Sequence, residues 1–169
     1  MESHILGAHA SIDNLSVFLK QLASLSAQNG TIIQAMDAAK IAGEAHVLFA
    51  VEKALRAKEC NCNAAKDIGV EIMRYASGKR QIEGAFSMGV HEGDMDVVLV
   101  VLGDRDGIKN SVAAIKNIVR ESPVVAYSVS KKDPILAQFN ITEGELGAVG
   151  EEMIPDLVME RVALVDILK

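Results

Sequence analysis

The sequence predicts an α/β (α+β-like) fold, with helices packed on a small mixed β-sheet in a single domain over residues 1–169. Three observations predict it. Half of the residues are hydrophobic, which in a chain of this length suffices for one well-filled core. Apolar residues recur at helical spacing in several separate stretches. Among them lies VVLVVLG at 97–103, a nearly continuous run of β-branched and leucine side chains of the kind that forms a central strand buried on both faces. Interleaved without linkers, repeats or low-complexity tracts, these elements make a layered structure of helices on a sheet.

In chain order, 5–10 reads as an edge strand. Ser11 then caps a helix whose apolar residues Ile12, Leu15, Leu19, Leu22 and Leu25 follow the helical period, and Asn29-Gly30 ends it. Residues 31–36 form a short strand. Asp37 caps a helical region reaching about Lys58, with Ile41, Leu48, Val51 and Leu55 among its apolar positions, and Gly43 marks a boundary near its start. The polar loop CNCN at 60–63 precedes two short helices, the first capped by Asn63 and the second ended by Gly89. After the apolar strand comes a helix over 107–120, supported by Ile108, Val112, Ile115 and Val119 and closed by Pro123, and 124–128 adds one more strand.

Beyond Lys131 the glycines 144, 147 and 150 and Pro134 interrupt whatever helical tendency 135–139 and 143–149 possess. Pro155 suits the first turn of a final helix reaching about Leu168, and Leu157, Val158, Val162, Leu164, Val165, Ile167 and Leu168 leave it apolar on most sides. Such a helix is either sandwiched within the fold or shared with another protein, and both remain open.

The most informative stretch is 63–90, read as two helices broken at Ser77-Gly78 with the second opening on Lys79-Arg80. Cations at a helix start oppose the macrodipole, so their presence there points to an anion such as phosphate or carboxylate; a plain solvated corner is the alternative. Ile68, Ile72, Tyr75 or Ala76, and then Ile82 and Phe86, supply the packing faces.

Composition narrows the chemistry. The net charge of −6 argues against a broad duplex-DNA surface, and six Phe and Tyr with no Trp give little stacking platform for single strands, so any nucleic-acid contact is local. No run is long enough to span a membrane and no leader pattern opens the chain, so a soluble, cytoplasmic protein is expected. Cys60 and Cys62 have no second pair, which supports neither a zinc knuckle nor a disulfide framework and favours two free thiols. Asp104 and Asp106 after the apolar strand match part of the Asp-x-Asp of haloacid dehalogenase-type phosphatases, but Gly107-Ile108 follows and the motif lies past the middle of the chain. A strand-end turn accounts for them better. His46, among Ala45, Val47 and Leu48, reads as a structural histidine, and no catalytic constellation or metal set emerges.

Gly43, His46, Ala50 and Ala54 in one helical region, followed by Glu71, Ser77-Gly78, Arg80-Gln81-Ile82, Ala85 and Gly89, resemble the small kinase-binding subunit of the KEOPS (EKC) complex. The resemblance is strongest over 31–90, and its core is the SG-x-RQI string between the two helices. It implies a non-catalytic subunit, without a cofactor, of the machinery that installs threonylcarbamoyl on the adenosine beside the tRNA anticodon. Its partners would be the complex's small atypical kinase, an ATPase, and the single-stranded 3′ CCA end of tRNA.

Carried onto this sequence, Arg74, Lys79, Arg80 and Gln81 are the expected RNA contacts, with Tyr75 as a stacking surface. The expected kinase contact is the final helix, chiefly Leu157, Arg161, Leu164 and Leu168. Gly69 and Gly84 fall inside the expected helices, and the CNCN loop is not aligned with the family pattern. The competing readings are a metal-dependent phosphatase using Asp104 and Asp106, and a protein-interaction domain in which Lys79 and Arg80 bind a partner's carboxylate.

Overall fold

The computed structural model describes residues 1–167, and Leu168, one of the expected kinase contacts, lies outside them. The chain resolves into two compact units, one built from 1–38 and 89–124, the other from 39–88 and 125 onward.

The first unit is a sheet with helices on it. Strand β1 (Glu2–Ile12) pairs antiparallel along its whole length with β3 (Gly93–Gly103), β2 (Ile32–Asp37) pairs with the other side of β3, and β4 (Arg120–Glu121) flanks β1. The expected class of helices on a small sheet holds, with every described pairing antiparallel. The register sets Leu6 opposite Leu99, Ala8 opposite Val97 and Ala10 opposite Met95, so alternate residues of both strands point to one face. There they meet Phe18 and Leu22 of α1 (Leu15–Asn29) and Ile108 and Ile115 of α5 (Arg105–Ile115). All six residues of 97–102 are at most 1% exposed, the two-faced burial their composition foretold.

Several local expectations are corrected. β1 is an interior strand, because the short β4 covers one side of it, Ala8 and His9 pairing with Glu121 and Arg120. The helix expected to reach 120 ends at Ile115, β4 begins at Arg120, and 124–128 is not a strand. Residues 11 and 12 belong to β1, and the cap of α1 is Asn14, whose side chain accepts from the Val17 N–H. Asn outranks most residues at this position because its short amide reaches an otherwise unpaired N–H. Gly30, at φ 63°, ends the helix as expected.

The second unit is helical: α2 (Glu44–Glu59), α3 (Ile68–Ser77), α4 (Ile82–Ala85), α6 (Lys132–Phe139), α7 (Glu143–Val149) and α8 (Ile154–Ala163). Asp37 belongs to β2, and α2 begins after Gly43, the boundary the sequence marked, where φ is 128°. α2 packs against α3, and its Ala50, Ala54 and Ala57, all buried, share one side of the helix. Small side chains at this spacing let two helices approach closely. Asp67, not Asn63, caps α3 by accepting from the Val70 N–H. A second core gathers Ala42, Ile135, Phe139, Ile141, Ile154 and Val158. His46 is the structural histidine expected: Nδ1 accepts from the Ala42 N–H at 3.0 Å and Nε2 donates to the Ala76 carbonyl at 2.9 Å.

The polar loop after α2 departs from expectation, since Cys60 and Cys62 are joined as a disulfide rather than left as thiols. No described helix is long and apolar enough to cross a membrane.

Candidate functional site

α3 turns almost entirely inward, because nine of its ten residues are buried, and two of the nine are charged. Glu71 is 0% exposed and Arg74 2% exposed. At i, i+3 spacing they lie on one helical face, and the carboxylate accepts from Arg74 Nη2 at 2.7 Å and Nε at 3.1 Å. Glu71 also accepts from the Ala64 and Ala65 N–H groups at 3.2 and 2.9 Å. Burial opposes its charge, but the guanidinium and the two N–H groups outweigh that and hold the carboxyl below its usual range. Burial likewise opposes the charge on Arg74, and Glu71 overrides it. The remaining Arg74 nitrogen, Nη1, donates to the Arg80 carbonyl at 3.0 Å. The pair thus fixes the loop 60–65 on one side and the Ser77–Arg80 turn on the other.

Arg74 also forms part of the wall of a cleft of about 480 Å³ whose lining includes Lys53 and Arg56 of α2, Cys60 and Cys62, Tyr75, Arg80 and Asp166. Among the described residues four cations line it against a single carboxylate, so its chemistry suits an anion despite the acidic chain. Lys53, Arg56 and the buried Ala57 share one side of α2 near its C-terminus, where the helix dipole favours cations.

Of the expected RNA contacts, the cleft gathers Arg74, Tyr75 and Arg80; Lys79 and Gln81 do not line it. Arg80 and Gln81 are exposed and Lys79 is half-buried. The helix start invoked for Lys79 and Arg80 is corrected: α4 spans only Ile82–Ala85 with Gln81 at its cap, so both cations precede a single turn that has no appreciable dipole. Gly78 makes the break, in a left-handed conformation at φ 69° that also caps α3. A Cβ there would lie 2.9 Å from the Phe139 ring. Gly84 has a different purpose, since a Cβ on it would lie 2.7 Å from the Lys79 Cβ; the absent side chain makes room for the lysine stem.

Tyr75 is 1% exposed. Arg74 and Lys53 lie over its ring, 4.5 and 5.4 Å from the centroid, so cations occupy the ring that a base would stack on. Its hydroxyl donates to both carboxylate oxygens of Asp166, each at 2.9 Å, and burial together with Asp166 pushes the phenol up to about 12. Sequence reading missed Lys53, Arg56 and Asp166. The spacing of the first two on one helix face was a visible signal; Asp166, 91 residues from Tyr75, gave none.

The final helix is largely core. Pro155 sits in its first turn as expected, and Ile154, Val158 and Val162 are buried, as is Val165 just beyond. Leu157 and Leu164 are half-buried. Arg161 is engaged inside the unit: Nη2 pairs with both Glu145 oxygens at 2.7 and 2.8 Å and Nε donates to the Phe139 carbonyl. Among the described residues Ile167, 69% exposed, is the most open apolar residue near this end.

In the first unit, Asp104 caps α5 by accepting from the Gly107 N–H at 2.6 Å. Gly107 follows from packing, because a Cβ there would meet the Asn29 carbonyl at 2.7 Å. The DRDG string, expected as a strand-end turn, is instead the cap and first turn of α5.

No curated protein matches the chain. A family model described as kinase binding protein CGI-121 matches residues 10–166, a span that includes the cleft, both buried partners Glu71 and Arg74, and the terminal helix. The chain belongs to the CGI-121 family of kinase-binding proteins.

Proposed function

We propose that this protein is the non-catalytic, cytoplasmic KEOPS subunit that joins the complex's small atypical kinase to tRNA, holding the single-stranded 3′ CCA end while the adenosine beside the anticodon is threonylcarbamoylated. Family membership supports the kinase partner. The observation that favours RNA as the second ligand is the cleft itself, in which Lys53, Arg56, Arg74 and Arg80 converge on a space of about 480 Å³, large enough for one or two nucleotides and too small for a duplex.

In this reading Arg56 and Arg80, both exposed, meet phosphates, and Arg74, immobilised by Glu71, holds the floor of the cleft in place. Lys79 and Gln81 would contact neighbouring nucleotides from outside it. Leu157, Arg161, Leu164 and Leu168 remain the proposed kinase contacts, with α8 offering only its outer side because its inner side is core. Each single-strand phosphate contact contributes about 0.7 to the slope of log affinity against log salt. Arg80→Ala should therefore weaken binding to a CCA-ended RNA and flatten that slope by about 0.7. Unchanged affinity and slope in R80A and in R56A would remove the cleft from consideration. Binding to the purified kinase should survive both substitutions.

A further inference from the structure

We infer that Asp166 is a built-in counter-anion of the cleft, occupying the position that a ligand's phosphate takes and setting how tightly the cleft binds it. The inference rests on the reading of the cleft as a phosphate-binding site and adds the residue that limits its affinity.

Among the described residues Asp166 is the one carboxylate lining the cleft, and its side chain is 50% exposed. Its contacts are of two kinds. Tyr75 Oη donates to both oxygens at 2.9 Å, a full hydrogen-bond length. The cations stand farther off: Arg74 Nη2 is 3.6 Å from Oδ1 and Lys53 Nζ is 3.7 Å from Oδ2. Both exceed the roughly 2.8 Å of a charge-assisted hydrogen bond, so a phosphate that approached to that distance would win either cation from Asp166.

The neutral hydroxyl, not the charge, holds the carboxylate in place. Arg74 is already neutralised by Glu71, and Lys53 is also drawn to the Ala163 carbonyl at 3.2 Å. With Asp166 present, the charge facing an incoming phosphate is therefore smaller than the count of cations suggests. Asp166 lies three residues beyond Ala163, the last residue of α8, so the position of that terminal segment sets the charge of the cleft.

Asp166→Asn isolates the effect, since the amide oxygen still accepts from Tyr75 while the charge is gone. With the full chain, binding of pyrophosphate is measured by calorimetry and binding of a short single-stranded RNA ending in CCA by fluorescence anisotropy, at low and at moderate salt. Removing one negative charge about 5 Å from a bound phosphate should tighten both probes roughly three- to tenfold at low salt, with a smaller gain as salt screens it. Asp166→Ser, which keeps a short polar side chain, should act in the same direction. Equal or weaker binding of both probes by both variants overturns the inference, and so does failure of the wild type and the variants alike to bind pyrophosphate. Tighter pyrophosphate binding with no RNA binding by any form upholds the counter-anion and refutes RNA as the ligand.

Discussion

Glu71→Gln tests the buried pair on which the cleft is built. The carboxylate of Glu71, 0% exposed, accepts from four donors: two on Arg74 and the N–H groups of Ala64 and Ala65. The amide keeps one oxygen and turns an NH₂ toward the remaining donors, so Arg74 is left charged and buried without a counter-ion. Removing one member of a buried pair costs about 3–5 kcal/mol, whereas replacing both by apolar residues costs far less. With a urea m-value of about 2 kcal/mol/M, a loss of about 4 kcal/mol lowers the unfolding midpoint by roughly 2 M. Equilibrium urea denaturation of wild type, Glu71→Gln and the double variant Glu71→Met/Arg74→Met measures it. The double variant should recover part of the loss, the two unpaired N–H groups keeping it below wild type. A shift under about 0.5 M in the single variant, or a double variant no more stable than Glu71→Gln, would refute the reasoning.

His46 carries a pH signature. Burial, only partly offset by its bond to the Ala76 carbonyl and reinforced by the nearby charge of Lys131, lowers it from 6.5 to about 4. Its contribution is therefore complete above 6.5 and lost as pH falls toward 4, by up to about 3 kcal/mol; between 6.5 and 4.5 this loss precedes that of Glu71, whose ordinary value is 4.5. Urea midpoints measured from pH 7 to 4.5 should fall in wild type and hold nearly level in H46Q. Gly78→Ala and Gly30→Ala form a matched pair, both at positive φ, but only the first meets a ring. Calorimetry should show about 1 kcal/mol of destabilisation for G30A and about 2–4 for G78A. Asn14→Ala should cost about 1 kcal/mol through loss of the cap on α1, seen as a small downward shift in melting temperature.

Legibility tracked how local each cause was. The central strand was plain because both its faces are buried and every position of 97–102 is apolar. The length of β1 was hidden because it is set by pairing with β3 some ninety positions away on average, and its interior place because that depends on a two-residue strand more than a hundred positions away. Glu71 and Arg74 are visibly i, i+3 in sequence, yet that spacing is equally common on solvated helix faces. Only the packing of α3 shows that the pair is buried. The terminal helix left two fates open, and the burial of Val158, Val162 and Val165 resolves them in favour of core for its inner side. Removing the chain from Pro155 onward would therefore strip side chains from the core as well as any kinase contact. Lys79 and Arg80 were expected to mark a helix start; the cationic cleft instead draws on α2 and α3, with Arg80 in the turn that follows. SG-x-RQI marked the neighbourhood through Gly78 and Arg80, but Lys53, Arg56 and Asp166 reach the same space only through the fold.

The most direct test of an adaptor that holds the tRNA tail is binding of the purified protein to an intact tRNA and to the same tRNA lacking its 3′ CCA. The measurement is made at two salt concentrations, with R80A as control. The account predicts binding that depends on the tail, weakens with salt and is reduced by R80A. Equal binding of both tRNAs, or none, would contradict it and leave kinase binding as the function of the chain.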